Sequence, residues 1–216
     1  PFNIPIAHIH GGEVTEGAID DALRHSLTKL SHIHFASTEE YARRIMQLGE
    51  EPWRVEVSGA PALDNILTLD LLTGEQIAEQ FAIGVVPSPL LVTYHPVTLE
   101  YEQAEWQVGE LFAALDTQEI PVVFTCPNAD TGGRKVSVLI DEYVKGREDA
   151  WRVDNFGLRG YFSMMTSAAA MVGNSSSGII EAASFGLPVV NVGNRQKGRV
   201  RGVNVVDVGY SCGEIA

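Results

Sequence analysis

Four short apolar runs, LLVTYH (90–95), PVVFTC (121–126), AMVGN (170–174) and PVVNVG (188–193), are separated from one another by segments of helical character. A strand that is apolar on both faces must be covered on both. Placing a helix between successive strands covers it and yields a parallel, doubly wound sheet. The same alternation runs through the first third of the chain. IPIAHI (4–9) reads as a strand, followed by a Gly-Gly loop and a helix over 18–30 with Asp20 and Asp21 in its first turn, where acids suit the helix dipole. HIHFAS (32–37) is a second strand. Thr38 with Glu39 and Glu40 opens a helix that stops at Gly49, and RVEVSG (54–59) is a strand of clean period two. In it, as in HIHFAS, alternate residues share a face, so His32 and His34 are expected on one side of their strand.

Residues 61–88 read as a crossing segment with one helix at 74–81 and a Gly/Pro-punctuated stretch, IGVVPSP. Helices at 100–115, 136–144, 161–169 and 178–185 then alternate with the four runs and with WRVDNF and VNVVDVG. Two such series joined near 83–90 imply an α/β chain of two Rossmann-like domains, 1–84 and 85–216. Repeats of solenoid period and low-complexity segments are absent.

A net charge of −13, from 15 Lys and Arg against 28 Asp and Glu, argues against a general nucleic-acid binder. It leaves an anionic small ligand open, because a site is set by local charge. No apolar run approaches the roughly 20 residues needed to span a bilayer, so no membrane partner is expected. Two cysteines, Cys126 and Cys212, are too few for a disulfide framework and suit a reducing cytosol. Pro1 is not a natural start, so a preceding segment is expected.

In open α/β sheets, ligands bind beyond the carboxyl ends of the strands. That rule selects residues 8–13, 58–59, His95, 127–128, 174–178 and 193–199, where the unusual polar residues are concentrated. In GNSSSG (173–178) a helix start follows a buried strand. Its free N–H groups carry about half a positive charge and favour phosphate. Ser175 and Ser176 add donors, and Gly178 permits a close backbone approach. The plainer alternative is a serine N-cap, the role expected of Ser177. Glu181 would repel a phosphate directly, but it lies four to six residues past the serines and can reach a neutral diol such as ribose. A solvent-facing glutamate is the alternative. Arg195 offers a planar fork suited to an oxyanion; Arg199 and Arg201 stay unassigned.

HIHGGEVTEGAIDDALRH (8–25) gathers His8, His10, Glu13, Asp20, Asp21 and His25 around one loop and helix. Their spacing fits no common zinc motif, so no metal is expected. Acid–base work suits them better, with one of Asp20 and Asp21 serving only the helix dipole. His95, in TYHPVT, ends the first strand of the second series and faces the same cleft; a structural histidine is the competing reading.

Together HIHGGEVTEGAIDD, TYHPVT, PNAD (127–130) and GNSSSGIIEA with PVVNVGNRQKGR resemble the UDP-N-acetylglucosamine 2-epimerase family, in its hydrolysing, sialic-acid-pathway branch. The resemblance implies two facing Rossmann-like domains of GT-B type, with the N-terminal one incomplete. It implies a UDP-sugar substrate in the cleft, no cofactor, and a cytoplasmic homo-oligomer, dimer or tetramer. His95, Asn128, Ser175, Ser176, Gly178, Glu181 and Arg195 would contact UDP. Glu13 and Asp21 would transfer protons, with His95 assisting the departing phosphate. Non-hydrolysing members, and some hydrolysing ones, carry a catalytic glutamate where this chain has His10; His10 is itself a catalytic candidate, and Glu13 would take over the glutamate's task. The reaction implied is elimination of UDP across C1–C2 followed by hydration to N-acetylmannosamine. Competing readings are a non-hydrolysing epimerase, a GT-B glycosyltransferase, or a non-catalytic UDP-sugar-binding paralogue.

Overall fold

The computed structural model describes residues 4–16, 20–97, 100–128 and 132–216. Every strand pairing is parallel, as two-sided burial requires. The first sheet holds β1 (Ala7–Ile9), β2 (Ile33–Ala36) and β3 (Val55–Val57) in sequential order. The second holds β4 (Leu90–Thr93), β5 (Val122–Thr125), β6 (Ala150–Val153), β7 (Ala170–Gly173), β8 (Val189–Val192) and β9 (Val205–Val208). Its order, β6-β5-β4-β7-β8-β9, reverses direction between β4 and β7. The crevice at such a switch point is the usual ligand site of doubly wound sheets.

In the second sheet, successive strand residues go to opposite cores. Leu91, Val123, Met171 and Val189 pack with α4 (Gly74–Phe81) and α7 (Gly157–Ser167). Leu90, Val92, Phe124 and Val172 pack with α5 (Ala104–Leu115), α6 (Gly133–Val144) and α9 (Cys212–Ile215). Leu72, Ile77 and Ile83 are buried against this second sheet, so α4 packs on it although it precedes the 84/85 division expected from the sequence. The first sheet has a smaller core of Ala36, Tyr41, Ala42 and Ile45, the last three from α2 (Glu39–Gln47). Its other helix, α1 (Asp20–Leu30), leaves Leu23, Leu27 and Leu30 exposed. Among the described residues no helix is long and apolar enough to cross a membrane.

Capping follows the sequence signals. The Thr38 hydroxyl accepts from Tyr41 N, and Thr73 with Gln76 forms a reciprocal capping box at the start of α4. Other elements differ from expectation. The crossing segment contains an additional helix, α3 (Ala62–Thr68). The expected 161–169 helix starts four residues early, where the Asn155 side chain accepts from Gly157 N. The expected 178–185 helix is a single turn, α8 (Ser176–Ile180), followed by a 3₁₀ turn, Ala182–Phe185. His32 and His34 do not share an environment. His34 is fully buried beside Glu50, whereas His32 precedes β2, is exposed, and accepts from Ile6 N.

Candidate functional site

Asn174, at the end of β7, organises the switch point. It is fully buried. Its Oδ1 accepts from His95 N at 2.7 Å and its Nδ2 donates to His95 O at 2.8 Å, locking the end of β4 to the end of β7. Its own carbonyl accepts from Gln196 Nε2 at 2.7 Å and Arg195 Nη1 at 3.2 Å. The strands approach so closely before it that a Cβ on Gly173, at φ 135°, would lie 2.1 Å from Thr93 O. His95 Nδ1 accepts from Asn128 N at 3.0 Å, which makes Nε2 the protonated, donating nitrogen of the neutral ring.

Beside this hub runs a ladder of hydroxyls. Ser175 Oγ lies 2.7 Å from Ser177 Oγ, and Ser177 Oγ lies 2.7 Å from Tyr161 Oη. Tyr161 Oη is 3.4 Å from Thr93 Oγ1, which accepts from Thr125 Oγ1 at 2.9 Å. Burial pushes the Tyr161 phenol up, so it stays protonated within the ladder. The ladder and His95 line a cavity of about 410 Å³ whose apolar wall includes Val153, Phe156 and Leu158. Polar donors converging on an apolar slot are the usual composition of a small-molecule site.

Sequence reasoning misassigned the serines locally. Ser175 is the N-cap, its Oγ accepting from Ser177 N at 3.3 Å, and Ser177 joins the ladder. Ser176 opens the helix. Because α8 has a single turn, the macrodipole counts for little here. Gly178 faces away from the cleft, since a Cβ there would lie 2.9 Å from Val189 Cγ1. It permits close helix–strand packing.

Across the cleft, His10 is held at φ 67° by the turn after β1, a left-handed conformation that costs a non-glycine residue about 1–3 kcal/mol. Its Nδ1 lies 2.9 Å from Glu13 Oε1, and Arg199 Nη2 lies 3.0 Å from Glu13 Oε2. Glu13 and Arg199 are almost wholly buried, with side chains 5% and 9% exposed. Burial pushes the Glu13 carboxyl up, but the His10 hydrogen bond and the Arg199 charge outweigh it and hold it below its ordinary value. Glu181 shows the opposite balance. Burial drives its carboxyl up to about 7, and its Oε2 has no hydrogen-bond partner among the described residues. His10, Glu13 and Arg199 all act on it electrostatically, so it belongs to both sides of the cleft.

Asp21 is placed differently from Glu13. Its Oδ1 accepts from Thr15 N at 2.8 Å and its Oδ2 lies 3.5 Å from His25, so it anchors the loop that carries Glu13. Asp20 is exposed. Thus the structure brings His10, Glu13 and Glu181 into one electrostatic group, and His95, Asn128, Ser175 and Arg195 into another. Thr93, Thr125 and Tyr161 were not singled out from the sequence, and Gln196 and Arg199, within the strand-end stretch 193–199, were given no role. Thr93 and Thr125 were accessible by the strand-end rule, since each is the last residue of its strand.

The profile of the UDP-N-acetylglucosamine 2-epimerase family matches residues 1–216. A Campylobacter jejuni protein named GDP/UDP-N,N'-diacetylbacillosamine 2-epimerase (hydrolyzing) is 41% identical over 208 residues, which are 95% of this chain and 54% of that protein. A Legionella pneumophila UDP-N,N'-diacetylbacillosamine 2-epimerase (hydrolyzing) is 37% identical over 207 residues, 96% of this chain and 54% of its own length. The chain therefore spans about half the length of the curated relatives it matches. Among solved structures, the Neisseria meningitidis UDP-GlcNAc 2-epimerase bound to UDP-GlcNAc superposes with a TM-score of 0.77 at 18% identity, covering 98% of this chain and 60% of that one. At that identity the likeness establishes the fold, a GT-B-like pairing of parallel α/β sheets. The chain belongs to the UDP-N-acetylglucosamine 2-epimerase family.

Proposed function

We propose that the protein carrying this chain is a hydrolysing UDP-sugar 2-epimerase. It would convert UDP-GlcNAc, or a UDP-diacetamido sugar like those named for its relatives, to UDP and the free 2-epimeric sugar; for UDP-GlcNAc that sugar is N-acetylmannosamine. The observation that carries this reading is the buried, doubly held Glu13 carboxylate across the cleft from the His95–Ser175–Arg195 seat. A phosphate seat alone would suit a glycosyltransferase equally well. A second group of acids and a histidine at the sugar end suits proton transfer.

In this reading the apolar wall of Phe156 and Leu158 takes the base, Glu181 takes the ribose diol, and Arg195, Asn128 and the serines hold the diphosphate. Glu13 accepts the C2 proton and the C–H electrons form the C1=C2 bond. The C1–O bond breaks and its electron pair leaves on the β-phosphate oxygen, to which His95 Nε2–H donates. That developing charge is where fixed donors contribute most. Water then adds across the C1=C2 bond: the π electrons take a proton at C2 from the opposite face, the water oxygen bonds to C1, and the proton that water gives up replaces the one delivered. Asp21 is the proposed donor, regaining its proton from the attacking water. His10 aligns Glu13.

Arg195→Ala is expected to weaken UDP binding by about 1.5–3 kcal/mol, the size of a lost charge-assisted hydrogen bond. Calorimetry with UDP checks it, and unchanged affinity would remove Arg195 from the seat.

A further inference from the structure

The loop between β8 and β9 joins the two halves of the site. Arg195 and Gln196 grip the Asn174 carbonyl on the nucleotide side. Arg201 Nη2 returns to Gln196 O at 2.9 Å, which stiffens the loop. Its outer edge docks on the first sheet's loops: Glu16 N donates to Lys197 O at 3.2 Å, and Val200 N donates to Tyr41 Oη at 2.8 Å. At Gly198, φ 89°, a Cβ would come within 2.5 Å of Val14 Cγ1, so only glycine allows this approach. The docking delivers Arg199 to Glu13 at 3.0 Å.

The neighbouring Lys197–Glu16 pair, 2.9 Å apart, is exposed on both sides, and such pairs contribute about 0–1 kcal/mol. The Arg199–Glu13 pair is desolvated, and a buried ion pair gains little stability over an apolar contact of the same volume. What it supplies that an apolar contact cannot is a carboxylate fixed in position and charge. The titratable and charged groups facing Glu13 are His10 on its own loop, Arg24 of α1, Tyr41 of α2, Arg199, and Glu181 at the end of α8.

We propose that Arg199 is a positioning residue for the proton transfer. It reaches from the nucleotide-binding half to hold the Glu13 carboxylate in place, so that the loop bearing Arg195 sets both phosphate grip and acid–base geometry. This inference rests on the proposed role of Glu13. It gives Arg199 no contact with the nucleotide.

The test uses the full-length protein with Arg199→Ala and Arg199→Lys. Arg199→Ala is expected to lower kcat on the order of 100-fold, the loss a misplaced reacting group incurs. KM and UDP affinity should stay within about twofold. Loss of a cation beside Glu13 raises its carboxyl, so the acid limb of the kcat/KM profile should move to higher pH. Arg199→Lys, which keeps the charge, should recover most of the loss and return the limb toward its original position. If Arg199→Ala does not fold, Arg199→Gln, which keeps much of the volume but not the charge, replaces it: a large kcat loss with unchanged UDP affinity and a limb moved to higher pH supports the inference, and full activity with an unmoved limb overturns it. A parallel fall in UDP affinity and kcat in either variant also overturns it, since Arg199 would then be a nucleotide ligand. Glu13→Gln separates the two levels. If that variant turns over normally, the role of Glu13 fails and this inference with it; if it is inactive while Arg199→Ala is fully active, only this inference fails.

Discussion

Glu13→Gln is expected to abolish most turnover, by about 10²–10⁴-fold, the usual contribution of a general acid or base. UDP affinity should be unchanged, because Glu13 pairs with His10 and Arg199, outside the His95–Ser175–Arg195 seat. Glutamine preserves volume and can still accept from Arg199 or His10, so the loop should keep its path. The charge does not survive, and Arg199 is left 9% exposed without its counter-ion. Breaking a buried pair by removing one charge costs roughly 3–5 kcal/mol, here an upper bound because the amide oxygen remains. The pH dependence gives a second check. The Glu13 carboxyl is held below 4.5 in the folded protein, so its stabilisation is present above that value and is lost as pH falls through the lowered native value. Urea melts of wild type and Glu13→Gln should therefore differ at pH 7 and converge in acid. Wild-type turnover by the variant would contradict the assignment.

Glu181→Gln should act with the opposite sign on stability. Burial lifts this carboxyl from 4.5 to about 7, so the folded state holds its proton where the unfolded chain has released it. Stability then falls as pH rises from about 4.5 to about 7, and the penalty is complete above that. A pKa unit is worth about 1.4 kcal/mol, which puts the wild-type penalty at pH 8 on the order of 1–3 kcal/mol. The neutral variant should be more stable than wild type at pH 8 and indistinguishable near pH 4. It should also bind UDP more weakly, by about 1.5–3 kcal/mol if the lost contact is an ionised carboxylate accepting from ribose hydroxyls. A stabilised protein that binds its ligand worse is the pattern expected of a functional residue held in an unfavourable environment. Glu181→Gln with wild-type UDP affinity would return Glu181 to a structural role.

The sequence displays the sheets because their causes are local. Runs such as LLVT and VVFT are apolar on both faces, and each of their residues is buried in the structure. The strand-end rule likewise locates Glu13, His95, Asn174 and Arg195 without reference to any relative. What the sequence hides depends on distance along the chain. Arg199 is one of four cations in seven residues and looks like a solvated loop; its partner Glu13 lies far back in the chain, on the loop after β1. Tyr161 and Ser177 are ordinary helix residues until folding places their hydroxyls 2.7 Å apart. Burial is equally invisible, and burial is what separates Glu181 from an ordinary surface glutamate. Helix ends were misjudged where a side chain outside the helix sets the boundary, as Asn155 does for α7.

The central claim is elimination across C1–C2 followed by hydration of that bond, with protonation at C2. Its most direct measurement is incubation of the full-length protein with UDP-GlcNAc, and in parallel with a UDP-diacetamido sugar, in deuterated water. The account predicts UDP and a free 2-epimeric sugar carrying one deuterium at C2 from at least one of the two substrates. Intact nucleotide sugar from both, or a released sugar with its original configuration and protium at C2, would contradict it.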